Sequence, residues 1–122
     1  GAGCTINKGV SGDTVIGRGS KLDCQIHIGH GAVIGKNCLL AAQVGIGGKT
    51  IIGDNVVLYG QVGVAQAIEI GAGAMVSAKA GVSKSLEGGK AYFGIPADDA
   101  REKYKELAAL RQLPEVLKKL GK

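Results

Sequence analysis

The chain has 122 residues, a formal net charge of +5 and 45% hydrophobic residues, with 22 glycines, four aromatic side chains (Tyr59, Tyr92, Phe93, Tyr104) and no tryptophan. That length suits one domain, and the apolar share excludes a disordered Gly/Ser linker. No apolar run approaches the roughly 20 residues that span a bilayer; the dispersed positive charge argues against nucleic acid and is compatible with an acidic protein or a phosphorylated small molecule.

No signal-peptide pattern opens the chain. Cys4, Cys24 and Cys38 are odd in number and lack C-x-x-C spacing, so neither a disulfide framework nor a zinc knuckle is indicated. A reducing, cytoplasmic compartment is the expectation.

From Cys4 onward every sixth residue is apolar: Cys4, Val10, Ile16, Leu22, Ile28, Ile34, Leu40, Ile46, Ile52, Leu58, Val64, Ile70, Val76 and Val82. Glycine often follows the anchor, and a small or β-branched residue usually stands four places after it, as at Thr14, Ser20, Ala32, Cys38 and Val44. An α-helix cannot use this period, because successive anchors would be turned by about 240° around its axis. A hairpin sheet would show alternation broken by longer turns. A solenoid of short strands with a bend every six residues turns each anchor inward, and glycine supplies the freedom the bends require. Its single aliphatic column is too narrow for aromatic rings. With three hexads per coil, residues n and n+18 stack at about the 4.8 Å strand spacing.

Residues 1–86 are therefore expected to be an all-β solenoid, residues 87–96 a linker marked by Gly88, Gly89, Gly94 and Pro96, and residues 97–122 a short α-helical tail. Asp98 and Asp99 suit a helix start, and Tyr104, Leu107 and Leu110 recur at helical spacing through residue 112. Pro114 suits the first turn of a second short helix, with Leu113, Leu117 and Leu120 on one stripe. Two such helices are weak alone and are expected to cap the solenoid or to pack against copies of themselves.

Both histidines lie in "LDCQIHIGHGAVIGKN", residues 22–37. His27 precedes anchor Ile28 and should point outward from a strand, either without a role or as a wall of a substrate cleft. His30 lies two places after the same anchor, at a bend. Two histidines cannot complete a metal site, since zinc usually takes three or four protein ligands; no metal is expected unless Asp23 or a cysteine contributes.

The block "KLDCQIHIGHGAVIGKNCLLAAQVGIGGKTIIGDNVVLYGQVGVA", with "TINKG" before it and "GIPADDAREKYKELAALRQLPEVLKKL" after it, resembles the UDP-3-O-acylglucosamine N-acyltransferases of lipid A biosynthesis, a family of hexapeptide-repeat acyltransferases. The resemblance implies a left-handed parallel β-helix and a homotrimer with sites in clefts between subunits. It implies transfer of a 3-hydroxyacyl chain from acyl carrier protein to the 2-amino group of a UDP-linked 3-O-acyl glucosamine, with no cofactor, because the thioester already activates the acyl group. His30 falls at the family's general base. An ammonium cannot attack a thioester, and an imidazole, with an ordinary pKa of about 6.5, can take its proton near neutrality. Asp23 falls at the carboxylate that orients such an imidazole; a turn-forming aspartate is the alternative.

The repeat adds an argument of its own. Gly48 stands eighteen residues after His30, one coil further at the same corner, where its backbone N–H can meet the oxyanion of the tetrahedral intermediate, as the resemblance also implies. A glycine kept for turn geometry is the competing reading.

Ala67 replaces a second histidine that some family members carry, and Gly31, Cys24 and Asn7 replace polar residues, so the sugar and phosphate contacts are expected to differ. The chain opens mid-pattern at "GAGCTI", which suggests a piece of a larger enzyme with a uridine-recognition domain, or a short homologue. The basic tail of residues 97–122 can attract an acidic carrier protein or serve trimer packing. Other readings are acylation of another sugar with coenzyme A as donor, or a non-catalytic scaffold.

Overall fold

The computed structural model describes residues 1–121. Two-residue strands, separated by bends, wind as a parallel β-solenoid with three faces. Numbered in chain order, the first sheet holds β1 (Thr5–Ile6), β4 (His27–Ile28), β7 (Gly45–Ile46), β10 (Gly63–Val64) and β13 (Gly81–Val82). The second holds β2 (Val15–Ile16), β5 (Val33–Ile34), β8 (Ile51–Ile52) and β11 (Glu69–Ile70). The third holds β3 (Lys21–Leu22), β6 (Leu39–Leu40), β9 (Val57–Leu58), β12 (Met75–Val76), β14 (Ala91–Phe93) and β15 (Asp98–Asp99). Through the middle coils the register step is the predicted eighteen residues, as in Ile28 beside Ile46 and Ile34 beside Ile52.

The strand's period of two sends the second residue of each pair inward. Anchors from Ile28 to Val82 are buried, and so are the residues two places before them, such as Ile26, Ala32, Cys38, Val44 and Val56, except Ile68, which is partly buried. Thr50 is the buried polar member of that second column, and its hydroxyl donates to the Ala65 carbonyl at 2.7 Å. At the corner after the third sheet Gln25, Gln43 and Gln61 stack one per coil: Gln43 Nε2 donates to Gln25 Oε1 at 2.7 Å and Gln61 Nε2 to Gln43 Oε1 at 2.6 Å.

The hexad reading fails at both ends. Ile6, not Val10, pairs with Ile28, because residues 7–14 loop out and lengthen the first coil by four residues. Val10 is 86% exposed, and Cys4 drops into the column two places before the anchors. At the other end the step shortens to sixteen, with Leu86 bridged to Ile70 and Tyr92 beside Val76. The ladder thus runs through β14, inside the stretch expected to be a linker; Tyr92 is buried there, and so is Ala97 just after it. Strand β15 folds back antiparallel on β14 and covers its edge.

The tail is one helix, α1 (Ala100–Lys119), rather than two. Asp99 caps it, accepting from the Arg101 and Glu102 amides at 3.1 and 3.3 Å. Pro114 lies inside, so the Leu110 carbonyl has no amide donor four residues on. The helix packs on β14 and β15 with Tyr104 stacked on Phe93, ring centroids 5.2 Å apart. It buries none of its residues, and Leu107, Leu110, Leu113, Val116, Leu117 and Leu120 are exposed along it. Among the described residues no helix is long and apolar enough to cross a membrane.

Candidate active site

His30 stands at the bend that carries the chain from β4 to β5. The bend is fixed from both neighbouring coils. The His30 carbonyl accepts the Lys49 N–H at 2.9 Å from the coil that follows. The Gly31 N–H donates to Thr14 Oγ1 at 2.8 Å, and that hydroxyl donates to the Asn7 carbonyl at 2.7 Å in the coil before.

Two glycines let the coils close on this bend. A Cβ on Gly29 would stand 2.5 Å from the Gly48 nitrogen, and a Cβ on Gly48 would stand 2.9 Å from His30 Nε2 and 3.0 Å from Cδ2. The Gly48 backbone therefore lies directly against the imidazole edge, and any side chain there would displace the ring. Among the described residues the Gly48 N–H meets no protein acceptor, which leaves a donor free beside a base. His30 is half-buried, and its Nδ1 is buried with no hydrogen-bond partner. A buried polar atom usually has one, so this ring nitrogen is left unsatisfied among the described residues.

Asp23 does not supply that group within one chain. It follows β3, at the corner between the third and first sheets, whereas His30 lies at the corner between the first and second. Asp23 is exposed, and its Oδ1 accepts the Cys24 amide at 2.8 Å. With Lys21, Leu39, Val57 and Tyr59 it lines a hollow of about 420 Å³ over the third sheet. His27 points outward from β4, as expected from its place before Ile28, and its Nδ1 lies 2.7 Å from Thr5 Oγ1. The structure thus brings Gly48 to His30 and leaves Asp23 and His27 apart from it. A hollow of about 480 Å³, lined by residues including Asn7, Lys8, Asp13 and Thr14, lies in the coil before His30. Among the described residues no three His, Cys, Asp or Glu side chains gather as a metal site.

Thr14, Gly29 and Lys49 escaped the sequence reading as parts of this bend. Their signal was the eighteen-residue step: Thr14 lies seventeen residues before Gly31, and Lys49 nineteen after His30, each one coil away.

Residues 13–48 match the family described as Bacterial transferase hexapeptide (six repeats). No curated protein matches the chain in sequence. Among solved structures the chain is similar to a UDP-N-acetylglucosamine O-acyltransferase from Moraxella catarrhalis, with 34% identity and a TM-score of 0.76 over 79% of this chain and 38% of that one. It is similar to a second UDP-N-acetylglucosamine acyltransferase, with 30% identity and a TM-score of 0.74 over 86% of this chain and 43% of the other. It is also similar to the UDP-N-acetylglucosamine acyltransferase of Francisella novicida, with 25% identity and a TM-score of 0.70 over 94% and 46%. The chain spans less than half the length of each of these three proteins.

Proposed function

We propose that these bacterial transferase hexapeptide coils form the catalytic solenoid of a nucleotide-sugar acyltransferase in which His30 is the general base. The observation that carries this reading is the His30 bend, where a half-buried imidazole lies against the free backbone N–H of Gly48. Base and donor side by side are what acyl transfer needs. An amine attacks the thioester carbonyl, His30 accepts the proton that the nitrogen releases, and the carbonyl oxygen, now negative, takes a hydrogen bond from Gly48. As the tetrahedral intermediate collapses, the carbon–sulfur bond breaks and the imidazolium returns the proton to the departing thiolate. Removing one such oxyanion donor typically costs about 3 kcal/mol of transition-state stabilisation.

The acceptor we favour is the 2-amino group of a UDP-linked 3-O-acyl glucosamine, and the donor a 3-hydroxyacyl chain on acyl carrier protein, in the cytoplasm. The motifs "LD" before "IGH" and the following "AAQVGI" support the amine acceptor. The 34% identity to an O-acyltransferase favours a second reading, with a sugar hydroxyl as nucleophile; the same base and donor serve both.

A homotrimer completes the site in this reading. Asp23 and His30 stand at different corners of one coil, so a neighbouring solenoid can present its Asp23 corner to the half-buried imidazole of His30. There the carboxylate would fix the tautomer and stabilise the imidazolium. His27, outward on the first sheet, would form a wall of the same cleft. The exposed apolar stripe of α1 suits packing against its own copies, and its basic residues suit an acidic carrier protein.

The test offers purified protein both acceptors, UDP-3-O-acylglucosamine and UDP-N-acetylglucosamine, each with acyl carrier protein and with coenzyme A as acyl donor. Transfer to the amine from the carrier protein is expected, and His30→Ala should lower it by about 10²–10⁴-fold with little change in melting temperature. Retained transfer in His30→Ala overturns the role of the base; transfer to the hydroxyl alone selects the second reading; transfer from neither donor leaves the solenoid a scaffold.

A further inference from the structure

Each coil beside that of His30 carries a lysine near the bend, Lys49 after it and Lys8 in the loop before it. Lys49 follows Gly48 and donates its backbone N–H to the His30 carbonyl at 2.9 Å. Its stem leans back toward the coil of His30: Lys49 Cγ lies 3.5 Å from where a Cβ on Gly31 would stand. Gly31, having no side chain, leaves that space to the lysine. Lys8 lies in the loop that leaves the coil before, where it lines the hollow of about 480 Å³ together with Asn7 and with Thr14, whose hydroxyl accepts the Gly31 N–H at the bend. Both lysines are exposed, and among the described residues neither makes an ion pair. Asp13 is the acid lining the same hollow.

We infer that Lys49, with Lys8 from the loop of the preceding coil as a second cation, holds the diphosphate of the sugar nucleotide at the His30 bend. The inference rests on the proposed reaction and adds to it the group that the site grips. In a nucleotide sugar bearing a 2-amino group, the diphosphate hangs from the carbon next to the one that carries the amine. A base that reaches the amine therefore has the first phosphate only a few bond lengths away. That is where a lysine stem beginning beside Gly31 can deliver its ammonium. Lysine binds phosphate as a mobile point charge, which suits a long exposed stem that starts beside the bend and a second cation on the loop nearby. Ala67, one coil beyond Lys49 in the same column, is small and leaves the lysine room above.

Steady-state kinetics on the full chain test this through Lys49→Ala, with Lys49→Arg as the conservative variant. Lys49→Ala should raise KM for the nucleotide sugar ten- to hundredfold, change kcat by no more than a few-fold and leave KM for the acyl donor unchanged. Lys49→Arg should restore most of the affinity, and added salt should weaken the wild type more than Lys49→Ala. Lys8→Ala should show the same pattern more weakly. An unchanged sugar KM in Lys49→Ala, or a rise confined to the acyl donor, overturns the assignment. A binding arm stands apart from catalysis. Uridine diphosphate or inorganic pyrophosphate, titrated into isotopically labelled protein, should shift the Gly31, Gly48 and Lys49 amide signals in the wild type and not in Lys49→Ala. Those shifts without any acyl transfer would sink the reaction and keep the anion site; their absence sinks the site itself.

Discussion

The first face of the solenoid and the other two are built on the same inside and differ on the outside. Inward, all three present aliphatic anchors that are nearly interchangeable. Outward, the second sheet carries Val15, Val33 and Ile51 and the third carries Leu39, Val57 and Met75, whereas the first carries Thr5, His27, Gly45, Gly63 and Gly81. A Cβ on Gly45 or Gly63 would meet nothing within 4 Å, and neither glycine has a positive φ. Neither packing nor backbone geometry requires them. The face next to His30 is kept flat, while the others keep side chains. Stability is written on the inside of this molecule, and the difference between its faces on the outside.

The sharpest break in that division is at His30. His30→Ala should lower acyl transfer by about 10²–10⁴-fold with little change in thermal melting, since its Nδ1 makes no bond within the chain. A matching stability loss would show that the side chain belongs to the core instead. Next in size is the contrast of Leu58→Ala with Leu39→Ala. Leu58 is fully buried and Leu39 is 46% exposed, so denaturant unfolding should register about 2–5 kcal/mol for the first and roughly 0.5 kcal/mol for the second. Equal losses would mean that the outward column is covered in the folded assembly. Gly63→Leu should melt like the wild type, because the space above it is open, yet transfer should fall if the flat face borders the substrate cleft; unchanged transfer places the cleft elsewhere.

The smallest effect is at the last coil. Tyr92 Oη donates to the Glu87 carbonyl at 2.8 Å, so Tyr92→Phe should cost about 1 kcal/mol at neutral pH. Burial holds this phenol above its ordinary pKa of 10.0, which sets the direction of a pH effect. The stabilisation is whole below pH 10.0 and is lost as pH rises through the folded value. Wild-type melting temperature should therefore fall more steeply in that window than that of Tyr92→Phe, and parallel curves would place the alkaline loss on other groups.

The middle coils were legible because burial obeys a short period that residues 16 to 82 state without a break. The ends were not, and for physical reasons. Val10 keeps the hexad rhythm while its loop leaves the solenoid, so an apolar residue in phase does not prove a residue in register. Pro114 reads locally as a helix start, yet the turns on either side continue through it with one bond missing. At the site, the approach of Gly48 to His30 followed from the eighteen-residue step, since stacking is a property of one chain. A partner for Asp23 did not, because adjacent corners of one coil point apart and only a second solenoid can bring them together. Lys49 gave no signal beyond its place in a column, as a lone surface lysine has no period.

The row Gln25, Gln43, Gln61 has a direction. Each amide hands its N–H toward the start of the chain, so among the described residues the unmatched donors collect at Gln25 and the unmatched oxygen at Gln61. Lys79 occupies the next place in that column, its N–H bonded to the Gly60 carbonyl at 2.9 Å, and the row of amides ends there. The corner is thus polarised along the tube axis. Replacing Gln43 severs the row in two places, while replacing Gln25 or Gln61 only shortens it.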